Sequence, residues 1–342
     1  MNNFNMIQKS ILVVLVTGFT VIACLIGIQP AGAQWEDMSL ASVHLHGNVL
    51  PEITFNKTDA TVSHTQAGIS LSLLTLNVDY TMDYYSWDKL GDLPFGNGKD
   101  DPWETLHSLS LSGMYGGEIN ERWSWMTIAA GSAAFEDNLD SSLLDGFLGT
   151  GALYSLSNTW NLIGGAGVLY TNAPELNALD MYGDPQEVTP IPVLGVQWNQ
   201  DAESGLSVSL LFPLEASISY RSFDGALSAS TDLLAQAADI TYQFTPMFGV
   251  TARGALNDER IHRLAEDNVA IPVGTKEGYL HNEGSAVELM LNVTLSEHLN
   301  VNVGPYYLFN QEISVRDKDD DSLHKLEADD TFGGTFGVSF IF

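Results

Sequence analysis

Apolar and polar side chains alternate with a period of two residues in many segments of this chain. The last segment shows the pattern most clearly, because one of its faces is mainly apolar and the other is small or polar. The mainly apolar face consists of Phe332, Gly334, Phe336, Val338, Phe340 and Phe342. The segments 238–244, 285–296 and 298–311 alternate in the same way. Successive side chains of a β-strand point to opposite faces, so this pattern predicts strands with one apolar and one polar face.

The apolar faces of these segments carry aromatic residues near their ends, which is typical of a surface that contacts lipid. Trp123, Trp125 and Trp160 lie beside short turns, and Tyr84, Tyr85 and Trp87 lie beside a long connection, which suits aromatic belts at two membrane interfaces. After residue 33 no apolar run is long enough for a membrane-spanning helix. Lipid cannot satisfy open backbone groups, so a membrane protein without such helices must close its sheet. We therefore predict an all-β fold, a closed antiparallel transmembrane β-barrel.

The spacing of turns and loops predicts the number of strands. Short turns occur near Asn120, Asn158, 201–204, Pro246 and Glu297. Long connections occur at 87–103, 135–145, 172–189, 222–236, 257–284 and 312–330. The two kinds alternate throughout if 205–221 is one strand with a local defect at Pro213, and 66–84 is one strand with a bulge at 73–74. The prediction is a barrel of about twelve strands over 66–342, with ten or fourteen as alternatives.

The N-terminus has the features of an export signal. Lys9 precedes an apolar stretch at 11–28, and Ala31-Gly32-Ala33 has the small-x-small form of a cleavage site. We expect residues 1–33 to be a cleaved signal peptide, with Gln34 as the mature N-terminus. Lipidation of Cys24, the only cysteine, and an uncleaved anchor helix are the alternatives. The stretch 34–65 alternates weakly and is open to three interpretations: a periplasmic extension, a partial plug or a further strand.

The charge of the chain excludes some classes of partner. The chain has 13 Lys and Arg residues against 43 Asp and Glu residues, and a formal net charge of -30. A protein that binds nucleic acid needs a basic face, and a polybasic attachment to anionic lipid also needs one. We therefore expect neither. The acidity is compatible with a solvated surface or with a surface that attracts cations.

Four charged residues fall on the polar faces of neighbouring predicted strands. They are Arg221, Asp239, Arg253 and Glu288. In the twelve-strand arrangement all four are expected near the external end of the lumen. They form either a constriction that selects solutes or an ion-pair network that satisfies a polar interior. Asp79 and Asp83 add acidic side chains to the same interior.

Asp317, Asp319 and Asp321 have the spacing of the first three ligands of a calcium-binding loop. The match then fails, because Ser322 stands where the loop requires Gly and Ala328 stands where it requires a bidentate Glu. This segment is predicted to be a weak cation-binding loop or a solvated acidic loop.

No catalytic or cofactor motif is present. None of the eight histidines is followed by a Ser two residues later, a spacing that one kind of outer-membrane lipid hydrolase uses. His107 and Ser108 are adjacent and would point to opposite faces of a strand, which is wrong for a nucleophile and its base. His44 and His46 share a face, but the sequence shows no third metal ligand beside them. We expect no enzyme activity, no cofactor and no metal.

Several segments are similar to an uncharacterised family of bacterial outer-membrane β-barrels. The similarity is carried by Thr189-Pro-Ile-Pro-Val-Leu-Gly-Val-Gln-Trp198, Leu206-Ser-Val-Ser-Leu-Leu-Phe-Pro213, Ile218-Ser-Tyr220, Gly149-Thr-Gly-Ala-Leu-Tyr154 and the hairpin 160–170. The resemblance implies the fold and the compartment, but no reaction and no ligand.

The last strand also resembles the signal read by the outer-membrane assembly machinery, with Phe342 at the terminus and Phe340 and Val338 before it. We therefore expect location in the outer membrane of a Gram-negative bacterium. The expected partners are outer-membrane lipid, lipopolysaccharide and the assembly machinery, and the oligomeric state stays open. A passive or selective channel for small polar or cationic solutes is the leading prediction of function. A closed barrel with a structural or surface-interaction role is the alternative, and a hydrolase is a distant third.

Overall fold

The computed structural model describes most of the chain from Ala41 to Phe342. The residues left outside are 1–40, 97, 137–141, 174–186, 202–203, 213–214, 273 and 276. The predicted signal peptide, with Cys24 and the cleavage site at Ala33 and Gln34, therefore lies outside the described residues. Within the described residues, no helix is both long enough and apolar enough to span a membrane.

The described chain is built almost entirely of strands. They are β1 (Ala41–Thr54), β2 (Thr61–Leu73), β3 (Leu76–Asp88), β4 (Thr105–Asn120), β5 (Trp123–Phe135), β6 (Leu143–Ser155), β7 (Trp160–Thr171), β8 (Val188–Asn199), β9 (Gly205–Phe212), β10 (Glu215–Arg221), β11 (Leu227–Asp232), β12 (Ala237–Gln243), β13 (Phe248–Arg263), β14 (Tyr279–Ser296), β15 (Leu299–Arg316), β16 (Ser322–Glu327) and β17 (Thr331–Ile341). A single 3-10 turn at Leu90–Asp92 interrupts the connection between β3 and β4.

The strands form one closed antiparallel barrel, which confirms the predicted fold class. Each strand from β1 to β15 pairs with the next, and β17 closes the ring by pairing with both β15 and β1. Sixteen strands make the closed wall. β16 stands outside this ring; it pairs with β15 beyond the point where β17 pairs with it. Ala41 and Phe342 lie at one end, which we call the terminal end; the opposite end is the loop end.

The predicted count of about twelve strands is four too low, and neither of the alternatives, ten and fourteen, matches the sixteen strands of the wall. Two of the four additional strands come from segments that the count of twelve left out, although a further strand was one of the interpretations of 34–65. β1 lies within the stretch 34–65, so the barrel begins at Ala41 rather than at Gln66. β11 lies within 222–236, which had been interpreted as one long loop.

The other two strands come from segments that had been interpreted as one strand each. The stretch 66–84 turns at Leu74, with Leu73 opposite Leu76. The stretch 205–221 also turns, with Leu211 opposite Glu215; the turn itself, including Pro213, lies outside the described residues. Two residues separate the first pair and three separate the second. When an even number of residues lies in the turn, the apolar residues change from odd to even positions or the reverse, and when the number is odd they do not. Neither a change of this kind nor its absence therefore identifies a hairpin.

The wall is much taller on one side than on the other. β13, β14 and β15 have 16, 18 and 18 residues, whereas β9 to β12 have 8, 7, 6 and 7 residues. The additional residues of the tall strands lie at the loop end, where they bend across the lumen. Arg263 of β13 forms a parallel bridge with Phe135 of β5, which stands eight strands away in a ring of sixteen. The β13–β14 hairpin therefore crosses the barrel and contacts the opposite wall.

The crossing hairpin is held by Glu136, which follows β5. The backbone N–H of Glu136 donates to the carbonyl of Arg263 at 3.1 Å. Its carboxylate accepts the backbone N–H of Ala265 at 2.8 Å and the side-chain amide of Asn268 at 2.8 and 2.7 Å. One carboxylate thus fixes the start of the loop that follows β13.

An apolar core fills the space between the crossing hairpin and the inner faces of β1 to β4. Its buried members are Leu50, Ile53, Phe55, Ala60, Val62, Tyr85, Trp87, Phe95, Trp103, Leu106, Leu264, Ala270, Leu280, Tyr306, Ile313, Val315, Leu326 and Ala328. Tyr85 and Trp87 belong to this core, so the prediction that they lie in an outer aromatic belt is wrong. Each side chain of this kind stabilises the fold by about 1.5–3 kcal/mol when buried, and part of the lumen is thereby packed like a soluble domain.

The outer face of the wall is apolar and exposed. Its exposed large side chains include Leu111, Leu148, Leu162, Val168, Leu194, Leu210, Ile240, Leu289, Leu291, Val303 and Phe336. Trp123, Trp125 and Trp160 are exposed at the terminal end, where they were expected. An outer surface of this size and composition is far larger than the exposed patches of soluble monomers.

Candidate functional site

The lumen is the candidate site, because the polar faces of all the strands converge on it. Three of the four charged residues singled out from the sequence are brought together. Asp239, Arg253 and Glu288 stand directly opposite one another on β12, β13 and β14. Among the described residues none of the three has an ion pair within 4.0 Å, and Asp239 instead accepts a short hydrogen bond from Ser230.

Arg221 does not lie where the sequence prediction located it. It pairs with Gly205 and Ser228 and ends β10 at the terminal end, because β10 runs antiparallel to β9. The prediction that it lies near the external mouth is therefore wrong. Arg221 still shares a cavity of about 370 Å³ with Asp239, lined mainly by serines of β9, β10 and β11.

A buried polar layer lies beneath the crossing hairpin. Asp83 of β3 is 3% exposed, and its Oδ1 accepts an N–H from Gln66 at 2.9 Å and lies 2.7 Å from His64 Nε2. Arg260 of the crossing hairpin approaches the same oxygen at 4.0 Å and contacts Asp258 at 3.3 Å. The layer joins the hairpin to the wall through charge as well as through apolar contacts.

Next to this layer, Ser108 of β4 meets His262 of β13, with 2.9 Å between Oγ and Nε2. His262 is 3% exposed, and its Nδ1 has no hydrogen-bond partner among the described residues. A catalytic serine and histidine need a third group that orients the imidazole through the other nitrogen. The pair therefore lacks one part of a hydrolytic site. His107 points outward instead, onto Tyr80 and Phe135.

A cavity of about 410 Å³ adjoins Ser108 and His262 on the lumen side. Its polar lining is Asp79, Ser108, Ser110, Ser132, Asp145, Thr171, Glu259, Arg260 and His262. Leu143, Ala134, Ile261 and Ala173 add an apolar side. The sequence prediction missed Asp145, Arg260 and His262, because it assigned 135–145 and 257–284 to loops. The signal that could have found Asp145 is its position between Leu144 and the alternating run that follows.

The two histidines with metal-ligand spacing face the lumen on β1. Their rings are stacked, with centroids 5.3 Å apart, and His44 Nδ1 bonds Ser339 Oγ at 2.7 Å. The described residues contain no group of three or more His, Cys, Asp or Glu side chains arranged to hold a metal ion. Nothing in this arrangement adds a third ligand to His44 and His46.

The acidic loop between β15 and β16 uses its carboxylates locally. Asp317 accepts the backbone N–H groups of Asp319 and Asp321, each at 3.0 Å. Asp319 pairs with Lys318 at 2.7 Å. Asp317 thus caps its own turn, which is the arrangement expected of a solvated acidic loop.

The last strand contains the residues of the predicted assembly signal. Phe340 and Phe342 are exposed on the outer face, and Val338 pairs with Val301 of β15 and Leu45 of β1. β17 is therefore the strand that closes the ring between the last and the first hairpins.

Comparison with known proteins adds little. No protein-family model matches the chain, and no curated protein matches it. Solved structures align loosely. The Pseudomonas putida toluene transporter TodX aligns over 90% of this chain and 91% of its own, with 9% identity and a TM-score of 0.32. An outer membrane channel from Pseudomonas putida F1 aligns over 92% and 100%, with 9% identity and a TM-score of 0.33.

A Pseudomonas aeruginosa FadL homologue aligns over 88% of this chain and 89% of its own, with 11% identity and a TM-score of 0.32. Alignments this loose carry no functional information.

Proposed function

We propose that this chain is an outer-membrane channel for small polar or cationic solutes. The observation that carries the proposal is the width and polarity of the lumen. Barrels of eight strands are filled by their own side chains, whereas barrels of sixteen leave room for an aqueous path. Here the cavities that the sixteen strands enclose include two of about 410 and 370 Å³, whose polar lining is mainly Ser, Thr and carboxylate side chains.

Location in a membrane is supported by the outer face. Exposed Leu, Val, Ile and Phe side chains surround the wall, and Trp123, Trp125 and Trp160 stand at one end of it. Closed barrels satisfy all their backbone groups within the wall and can therefore cross lipid. The short turns at the terminal end suit the periplasmic side, and the long loops suit the external side.

The preference for cations is supported by the balance of lumen charge. Asp79, Asp145, Asp239 and Glu288 face the lumen without an ion pair among the described residues, against Arg221 and Arg253. Arg260 also lines the lumen, but it is paired with Asp83 and Asp258. Rings of carboxylates select cations in channels. The formal net charge of -30 would also raise the local concentration of cations at either mouth.

A second candidate, a closed barrel with a structural or surface role, is favoured by one observation. The apolar core and the crossing hairpin occupy part of the lumen at the loop end. Such a barrel would fold and insert, but it would carry no current.

Recordings from planar bilayers separate the two candidates. We expect discrete conductance steps from the purified native protein, and we expect Glu288→Gln to change their size because Glu288 faces the lumen. The control is Glu297→Gln, whose side chain is 86% exposed on a turn outside the wall; it should leave the steps unchanged. A folded barrel that stays silent would overturn the channel proposal and leave the closed barrel.

A further inference from the structure

One row of paired residues crosses four strands of the wall and carries a carboxylate at each end. Asp79 of β3 stands opposite Ser110 of β4, Ser110 stands opposite Ser132 of β5, and Ser132 stands opposite Asp145 of β6. All four side chains line the cavity of about 410 Å³. Neighbouring strands lie about 4.8 Å apart, so three spacings separate the two carboxylates by about 14 Å along the wall.

Neither carboxylate is neutralised by the protein. Among the described residues, no Lys, Arg or His side chain lies within 4.0 Å of Asp79 or Asp145. Asp79 accepts a short hydrogen bond from Ser70, and Asp145 is hydrogen-bonded by Thr171. The nearest guanidinium in the cavity, on Arg260, is engaged by Asp83 and Asp258.

The other carboxylate of the cavity is already paired. Glu259 bonds His281 Nδ1 at 2.8 Å. The uncompensated charge of the cavity therefore consists of two negative groups at its two ends, with two serine hydroxyls between them.

Two further observations indicate that the cavity accepts a ligand. His262 lines it and is 3% exposed, and its Nδ1 has no hydrogen-bond partner among the described residues. Buried polar groups are nearly always bonded, so a turn of the imidazole that brings this nitrogen to the cavity would give it a partner in a ligand with N–H groups. Leu143, Ala134 and Ile261 give the cavity an apolar side that a methylene chain can contact.

We propose that this cavity binds an extended organic dication, a diamine or polyamine with ammonium groups at both ends of a flexible chain. One ammonium group pairs with Asp79 and the other with Asp145. The hydroxyls of Ser110 and Ser132 accept from an amine within the chain, and the methylene groups lie against the apolar side. This inference deepens the proposed function, since it names the class of solute that the lumen would select.

Calorimetric titration of the purified native barrel in detergent tests the site directly. Spermidine is the probe, and n-butylamine, 1,3-diaminopropane and Mg²⁺ are the comparison ligands. We expect spermidine to bind at least about tenfold more tightly than any of the three, because only it reaches both carboxylates. Equal affinity for all four would show simple attraction of cations and would overturn the proposal.

Variants locate the binding. Asp79→Asn and Asp145→Asn should each weaken spermidine binding at least about tenfold, because each removes one charge-assisted contact. The control is Glu297→Gln, an exposed carboxylate on a turn outside the wall, which should leave the affinity unchanged. Unchanged affinity in either of the two cavity variants would overturn the proposal. If one variant fails to fold, the other variant and the ligand comparison on native protein still decide.

The proposed binding site and the proposed channel can be refuted independently. A barrel that binds spermidine but carries no current would refute the channel and keep the site. A barrel that conducts but does not discriminate spermidine from n-butylamine would refute the site and keep the channel.

Discussion

At the scale of single residues, the sequence predicted which side chains face the lumen better than it predicted where along the barrel they lie. Asp79, Asp83, Asp239, Arg253 and Glu288 were all assigned to the lumen face from alternation alone, and their pairing agrees with that assignment. Alternation shows which face of the strand a side chain is on, but it does not show the position of that side chain along the barrel axis. The position along the axis depends on the hairpin to which a residue belongs. Because one turn was missed, Arg221 was predicted at the wrong end of the barrel.

The buried carboxylate of Asp83 should be important for stability. Asp83→Ala removes the acceptor shared by His64 and Gln66 and leaves Arg260 with one carboxylate fewer. We expect a loss of about 3 kcal/mol in the free energy of unfolding, since breaking a buried charged network leaves its partners unsatisfied. Urea unfolding in lipid vesicles measures it, with the exposed Glu297→Gln as control. A change of less than about 1 kcal/mol would mean that the network contributes little.

Ser108 should be unreactive towards reagents for serine hydrolases. His262 touches its hydroxyl but lacks an orienting partner on Nδ1 among the described residues, so the serine is not activated. We expect no covalent labelling by a fluorophosphonate probe, measured by mass spectrometry of the intact protein. Labelling of the native protein that Ser108→Ala abolishes would instead support the hydrolase alternative.

At the scale of elements, the errors of the sequence prediction have one physical origin. A period of two describes the inside of a strand but says nothing about where the strand turns. The turn at Leu74 changed the phase and was interpreted as a bulge, whereas the turn after Phe212 kept the phase and was interpreted as a defect. Short strands such as β11, with six residues, are also too brief for alternation to separate them from a loop.

The two turns flanking β11 test the strand count. In the sixteen-strand wall, Phe223 lies at the terminal end and Leu234 lies at the loop end, whereas one long loop would hold both on the same side. Phe223→Cys and Leu234→Cys are to be labelled with a membrane-impermeant maleimide on intact cells. We expect Leu234→Cys to react at once and Phe223→Cys to react only after the outer membrane is permeabilised. Equal labelling of both on intact cells would favour the single loop.

The crossing of the lumen by the β13–β14 hairpin is testable by cross-linking. Bridged residues have α-carbons roughly 5 Å apart, which is within the range of a disulfide. We therefore expect Phe135→Cys with Arg263→Cys to form one under mild oxidation. Adding Glu136→Ala should lower the yield, because it removes the acceptor for Ala265 and Asn268; Glu136→Gln should lower it less. No cross-link in a folded barrel would mean that the hairpin does not contact β5.

At the scale of the whole molecule, the sequence was sufficient for the class of fold and insufficient for the content of the lumen. Closure and antiparallel order follow from local alternation and from the need to satisfy backbone groups. The crossing hairpin follows from contacts between residues far apart in sequence, such as Arg263 with Phe135 and Asn268 with Glu136, and no local pattern reveals them. The apolar residues of the core beneath the crossing hairpin had been assigned to loops and aromatic belts. The reason is that an alternating pattern does not distinguish the inner face of a barrel from its outer face.

The tall and low sides of the wall give the molecule an uneven loop end. The tall strands supply the segment that crosses the lumen, and the low strands β9 to β12 leave the other side of the barrel with a short wall. The two lumen cavities lie on either side of this arrangement, one bounded by the crossing hairpin and the other by β9 to β12. Each cavity contains carboxylates, Asp79 and Asp145 in the first and Asp239 in the second.

The ion selectivity of the native protein tests the central claim most directly. The measurement is the reversal potential of the purified barrel in a planar bilayer under a KCl gradient. We predict discrete channels with a reversal potential of the sign that cation selectivity requires, because among the lumen charges without an ion pair Asp79, Asp145, Asp239 and Glu288 outnumber Arg221 and Arg253. A folded barrel that passes no current, or a reversal potential of the opposite sign, would contradict it.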